Sequence, residues 1–273
     1  MESDRKPAPR PPRHARRLLG LRVDCSNYSD ASEHIASLAI ADQSAVVCVA
    51  NVHMVMEAVD DAAYRRTVNA SELITSDGMP LVWSLRRLGL PEAERVYGPT
   101  LTPRVCERAA HYGIPVGFYG GTPDILARLE TALRDRIPAL QIAFAHAPPF
   151  RDLCAEEDAD IVNAIEESGA RILFVGLGCP KQERWMAAHR ERLRCTMVGV
   201  GAAFDFLAGA KRQAPGWMQR RGLEWLFRLA TEPRRLGRRY LWHNPRFVYG
   251  MARQLLGAGR HGDESPEKRQ EIR

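Results

Sequence analysis

The chain has 273 residues, 45% hydrophobic and 26% charged, enough for one large domain or two small ones around a sizeable core. That composition excludes collagen-like, mucin-like and wholly disordered chains. The net charge of +6 is unevenly placed: residues 1–22 carry +5, 211–260 carry +10 and 261–273 carry −1, which leaves 23–210 as an acidic body of −8. A segment as basic as 211–260 calls for an anionic partner. Its cations are nearly all Arg, whose planar fork grips phosphate in a bidentate way that Lys cannot.

In chain order, residues 1–17 are Pro/Arg-rich and read as a disordered arm. From Leu18 to residue 210, short β-branched runs alternate with segments of helical period. Strands are expected at Leu21–Val23, Ala45–Ala50, Leu73–Thr75, Val116–Tyr119, Gln141–Ala145, Ile172–Val175 and Thr196–Val200. Helices are expected near 30–42, 53–69, 80–88, 101–112, 123–136, 156–168 and 181–193. The alternation predicts a Rossmann-like α/β catalytic domain over 18–210, a mainly parallel sheet flanked by helices. Beyond 210 strand-like runs stop, and 211–258 read as a basic helical appendage. Residues 259–273 read as a disordered tail. The six cysteines form neither a Cys-x-x-Cys pair nor a zinc-finger spacing, which indicates a reducing compartment without a disulfide framework. The N-terminus lacks the apolar core of a secretory signal, and no run of about 20 apolar residues exists to cross a bilayer.

Parallel sheets bind ligands beyond the carboxyl ends of their strands. Five expected strand ends are polar or glycine-rich: Asn51, Asp77, Gly120-Gly121, Gly176 through Glu183, and Gly201 through Asp205. They suggest one composite site. Gly176-x-Gly178 lacks the third glycine of a dinucleotide fingerprint, since Lys181 stands there. It is either a tight turn or a phosphate cradle at a helix start, with Lys181 adding charge. Asp77 is either a helix cap or a carboxylate placed to take a proton from a hydroxyl. With the pKa of about 3.9 of an Asp in water, it would be ionised at neutral pH without tuning. Asp158-Ala159-Asp160 lies in an acidic helix face and gives no support to a metal site. His53, His111 and His146 are isolated and read as structural or surface residues. No Gly-x-Ser-x-Gly elbow is present. In 211–256 arginines interleave with Trp217, Trp225, Phe227, Tyr240, Trp242, Phe247 and Tyr249. That mixture suits an anionic membrane surface or a single-stranded nucleic acid.

Six stretches together resemble the WecG/TagA/CpsF glycosyltransferase family: SDGMPLVW, RVYGPTL, FYGGTPD, ILFVGLGCPKQERWM, GVGAAFDFLAG and LEWLFRLATEPRRLGRRYL. The resemblance covers roughly residues 21–250. It implies an inverting, metal-independent β-glycosyltransferase that uses no cofactor. The enzyme would move a hexose or N-acetylhexosamine, of N-acetylmannosamine type, from a UDP-sugar to a polyprenyl-diphosphate-linked sugar. Such a step builds surface polysaccharide or wall polymer at the cytoplasmic face of the plasma membrane, with the protein held peripherally. It implies Asp77 as the base, Arg95 and Gln182 at the donor, and Arg228, Arg235 and Arg238 facing the lipid diphosphate. Gly98, Gly120, Gly121, Gly176, Gly178, Lys181, Glu183, Phe204 and Asp205 lie in these stretches, Asn51 matches the family's Asn outside them, and all are expected around the donor. No metal ligand and no nucleic-acid partner are expected, and a homo-oligomer is left open. Three positions depart from the family pattern: Val49 replaces a Thr, Thr100 a carboxylate, and Gln213 an Arg. The alternative reading is a non-catalytic α/β module with a nucleic-acid-binding tail.

Overall fold

The structure, a computed structural model, describes residues 14–42 and 44–258. In chain order it runs β1 (Ala15–Leu18), β2 (Leu21–Asp24), α1 (Tyr28–Ile40), β3 (Ala45–Ala50), α2 (Val52–Asp60), α3 (Ala62–Asn69), β4 (Leu73–Ser76) and α4 (Met79–Arg87). Then follow α5 (Gly98–Tyr112), β5 (Val116–Gly120), α6 (Pro123–Arg136), β6 (Ile142–His146), α7 (Ala155–Ser168), β7 (Ile172–Gly176), α8 (Lys181–His189), β8 (Thr196–Gly199) and α9 (Ala203–Leu207). The chain closes with α10 (Gly216–Arg220), α11 (Glu224–Thr231) and α12 (Pro233–Ala258).

Strands β3 to β8 form one six-stranded sheet in the order β4-β3-β8-β7-β5-β6, every pairing parallel. Helices cover both faces, so central strands are apolar throughout. All six residues of β3 are buried. Val46, Cys48 and Ala50 serve one core; Val47 and Val49 serve the other. In β7, Leu173 and Val175 alternate with Ile172 and Phe174 in the same way, as the two-residue period of a strand requires. Each buried Val, Leu or Phe contributes about 1.5–3 kcal/mol. The six cysteines are free, with Cys48, Cys106 and Cys195 buried as small hydrophobes.

Side-chain caps set several boundaries. Asn27, Asn51, Asp61 and Thr122 each accept a backbone N–H of the helix they open, filling donors a helix start leaves bare. The single helix expected over 53–69 is two, because Asp61 ends α2 and caps α3. Helix α5 begins at Gly98 instead of 101, and α8 stops at His189 instead of 193.

The expected arm ends sooner than residue 17. Ala15–Leu18 is a strand, and the run expected to join the main sheet pairs antiparallel with it as a hairpin. The two-residue turn Leu19–Gly20 takes φ of 52 and 92, the doubly positive geometry that matches hairpin twist. Leu18 and Leu21 are wholly buried, which ties the hairpin down. Residues 1–13 and the expected tail 259–273 lie outside the described residues.

Packing does not stop at residue 210 either. Phe247 and Met251 of α12 are buried in the same core as Leu18 and Leu21. The Leu19 N–H donates to Gln254 Oε1 at 2.9 Å, and Gln254 Nε2 donates to the Arg17 carbonyl at 2.6 Å. Arg246 forks onto Asp60 of α2. The distal part of the basic segment is therefore built into the body. Among the described residues no helix is long and apolar enough to cross a membrane.

Candidate active site

With six parallel strands, all carboxyl ends open on one edge. There the ends of β3, β4, β5, β7 and β8 face α11 and α12 across a cavity of about 620 Å³. Asn51, Asp77, Gly98, Gly121, Gly176, Gly178, Lys181, Gln182 and Asp205 line it from the body; Arg228 and Arg235 line it from the appendage.

Asp77 follows β4, and its N–H donates to the Ala50 carbonyl at 2.7 Å, extending the ladder by one bond. It is not the cap of α4. Gly78 holds that position and no side chain bonds the helix start. The Asp77 carboxylate is therefore free of a capping task; it lies in a loose ion pair with Arg95, and its Oδ1 is shut from solvent without a hydrogen-bond partner. Burial pushes its pKa up to about 6; Arg95 opposes the rise, Glu224 adds to it and Arg228 opposes it. The expectation of an untuned carboxylate is thus corrected: enclosure disfavours the charged form. At neutral pH it is still mostly ionised, and closer to the working pH of a general base.

Gln182 joins two strand-end loops. Its Oε1 accepts from Gly178 N at 3.2 Å and Gly201 N at 3.0 Å. Its Nε2 donates to Glu183 Oε1 at 2.7 Å, and Tyr64 OH donates to Glu183 Oε2 at 3.0 Å. Glu183, expected at the donor, is only 1% exposed and sits behind Gln182. Burial raises its pKa.

Four more expected site residues stand off the cavity wall. Phe204 is buried in the core, packed edge-on against Phe118, and a Cβ on Gly176 would come 2.6 Å from its ring. Gly120, at φ +125, lies where a Cβ would come 2.6 Å from the Gly176 backbone. That glycine serves contact between strand ends rather than ligand access. Arg95 lies behind Asp77: its Nε donates to the Asp77 carbonyl at 2.5 Å and its guanidinium lies 4.2 Å from the Tyr97 ring centre. Arg238 is exposed and outside the lining.

In place of Arg238, the helix phase of α12 turns Arg239 into the cavity beside Arg235. Arg228 Nε and Arg239 Nε are both buried without a partner, so each can still bond an anion. Lys211 also lines the cavity, 3.4 Å from Asp205 and 3.7 Å from Glu232. Of the departures, Val49 lines the cavity, whereas Thr100 lies in the first turn of α5 outside the lining and Gln213 is exposed. Sequence reasoning missed Arg239, Lys211, Tyr97 and Glu224. The spacing Arg235–Arg239, one helical turn, is the signal that points to Arg239.

The histidines and acidic pair also find places. His53 lines the cavity and faces His243 of α12, ring centres 5.1 Å apart. With Glu57 they are the one group among the described residues whose metal-type donor atoms lie within 4.8 Å of one another. Burial, with Arg239 and His243 alongside, lowers the His53 pKa to about 4. Arg239 already sets one cation there against the single carboxylate, which weighs against a second. Asp158 is bound to His189 at 2.9 Å and to Arg192, an ion-pair role in place of a fully solvated one.

The arrangement offers a largely enclosed carboxylate on one side and four cations, Lys211, Arg228, Arg235 and Arg239, on the other. That combination can deprotonate a hydroxyl and take up the charge of a departing diphosphate. Residues 16–261 match the family described as Glycosyl transferase WecG/TagA/CpsF family. An N-acetylglucosaminyldiphosphoundecaprenol N-acetyl-beta-D-mannosaminyltransferase of Staphylococcus aureus strain NCTC 8325 / PS 47 is 32% identical over 241 residues, covering 86% of this chain and 91% of the relative. Its counterpart in strain MRSA252 is similar to the same extent.

Proposed function

This chain belongs to the WecG/TagA/CpsF glycosyltransferase family, and from that premise we propose an inverting, metal-independent transfer from a UDP-sugar to a polyprenyl-diphosphate-linked sugar. Membership sets aside the non-catalytic module. The donor sugar proposed is of N-acetylmannosamine type and the acceptor a diphospholipid-linked N-acetylglucosamine, after the relatives' names. The product belongs to wall or surface polymer.

The observation that carries the reading is Asp77: a strand-end carboxylate on the cavity wall, without a capping role, with its pKa raised toward neutrality. As the acceptor hydroxyl attacks the anomeric carbon, Asp77 takes its proton. The new C–O bond forms while the bond to the nucleoside diphosphate breaks and its electrons leave with the diphosphate. One displacement inverts the anomeric centre. Lys211, Arg228, Arg235 and Arg239 supply positive charge along the cavity, the work a metal would otherwise do. With two diphosphates to accommodate, donor and acceptor lipid, this many cations is in proportion.

A peripheral site at the cytoplasmic leaflet fits the outer surface of the appendage. Trp225, Leu226, Leu241, Trp242, Val248 and Tyr249 are exposed there among arginines, and each basic residue near an anionic surface is worth about 1 kcal/mol. The test is transfer by purified protein in excess EDTA, with a panel of UDP-sugars and a short-chain prenyl-diphospho-N-acetylglucosamine. Product of inverted configuration is expected. Activity that appears only with Mg²⁺ or Mn²⁺, or no transfer from any UDP-sugar, would overturn the reading.

A further inference from the structure

A buried Arg beside a buried Asp ordinarily closes into a fork with charge-assisted hydrogen bonds. Arg95 and Asp77, both largely enclosed, make only a loose ion pair. Arg95 Nη2 stops 3.6 Å from Asp77 Oδ1, and that oxygen has no hydrogen-bond partner. The same Nη2 is instead bonded to Glu224 Oε2. The three side chains are comparably enclosed, at 15%, 18% and 13% exposure for Arg95, Asp77 and Glu224. Glu224 is the first residue of α11 and the only carboxylate between residues 211 and 231. It is reached across 129 positions of chain.

We propose that Glu224 is a positioning residue for the transfer: it holds the Arg95 guanidinium off Asp77 Oδ1 and thereby keeps the Asp77 carboxylate a competent base. The inference rests on Asp77 being that base. Two effects run in the same direction. Glu224 occupies the nitrogen that would otherwise bond Oδ1, and its charge opposes ionisation of its neighbour. The charged and titratable groups around Asp77 are Arg95 from the segment before α5, Tyr97 beside it, and Glu224 and Arg228 from α11. Arg228 alone on α11 would weaken the base; Glu224 one turn earlier offsets it. The base is thus complete only with α11 docked, so the appendage contributes to proton transfer as well as to phosphate binding.

The test is the pH profile of kcat/KM for full-length Glu224→Gln, with Glu224→Asp and Asp77→Asn alongside. Gln keeps the shape and loses the charge. An uncompensated opposite charge beside a carboxylate lowers its pKa by about 1–3 units; with the Glu224 charge gone, Arg95 is no longer offset, so the acid limb should move down by about one pH unit. The plateau should fall roughly tenfold as the base weakens. Vesicle binding should stay at the wild-type value. Glu224→Asp, which keeps the charge, should hold the acid limb near wild type and so answers for a Gln variant that fails to fold. An acid limb unmoved in Glu224→Gln, or a change confined to KM, overturns the role of Glu224 while Asp77→Asn remains inactive. An active Asp77→Asn takes down the base itself and this inference with it.

Discussion

The two walls of the cavity are made by different means. On the strand-end wall, backbone sets positions: Asp77 hangs from a ladder bond to Ala50, and Gln182 ties the loops after β7 and β8 together. On the appendage wall, long arginines from α11 and α12 reach in, and two of them keep unpartnered Nε atoms. Bond-making needs a group held in place by a rigid element. Charge uptake tolerates reach, because a guanidinium can adjust to the phosphate it meets. The wall on which we propose the chemistry is therefore the rigid one, and the charged wall, though Lys211 and Arg235 pair with Glu232, keeps two guanidinium Nε atoms without a partner.

The sharpest way to break this contrast is Asp77→Asn. An amide cannot accept the proton, so kcat should fall about 10²–10⁴-fold with the thermal unfolding midpoint preserved; turnover within threefold of wild type would move the chemistry elsewhere. Next comes the split within α12. Phe247→Ala should lower stability by about 3–5 kcal/mol in urea titration, as for a buried Phe in a core. Trp242→Ala, on the exposed face, should stay within about 0.5 kcal/mol and weaken vesicle binding instead. For the same reason, truncation after residue 210 should destabilise the body, because α2 and the hairpin lose their α12 contacts, Phe247, Met251 and Gln254 among them.

The pH profile sharpens the rigid wall further. Only the carboxylate form of Asp77 accepts a proton, and its pKa lies near 6 instead of 3.8. Activity should therefore drop about tenfold per pH unit below that value. In stability the sign is opposite. The folded state holds that proton more tightly than the unfolded chain, so this group's contribution declines as pH rises from about 4 to 6. The smallest effects belong to the charged wall. Arg228→Lys, Arg235→Lys and Arg239→Lys should each cost roughly tenfold in kcat, since a charge-assisted bond is worth about 1.5–3 kcal/mol. Arg238→Lys should cost about twofold or less in the same assay, because its side chain stands outside the cavity.

Period and turn chemistry by themselves determined most of the body. β-branched runs of four to six residues, each followed by a helical period, leave few arrangements other than a parallel sheet, and such a sheet gathers its strand ends on one edge. Asp77, Asn51, Gly121, Gly178 and Gln182 were legible for that reason, since each follows or opens an element. What sequence left undecided depends on contacts between distant segments. Ala15–Arg17 reads as the end of an arm because it is rich in Arg, and only the fold shows it as a strand paired with Leu21–Asp24, in the core that Phe247 and Met251 also join. Arg238 and Arg239 are adjacent in sequence, and the docking of α12 alone selects which one enters the cavity. Glu183 and Phe204 sit in the first turns of α8 and α9, in motif-rich segments, yet the packing of those helices turns them inward. The pKa of Asp77 is the clearest case. It follows from enclosure and from Arg95, Glu224 and Arg228 brought in from elsewhere. A string of residues specifies which carboxylate stands at a strand end; only the fold specifies the dielectric and the charges around it.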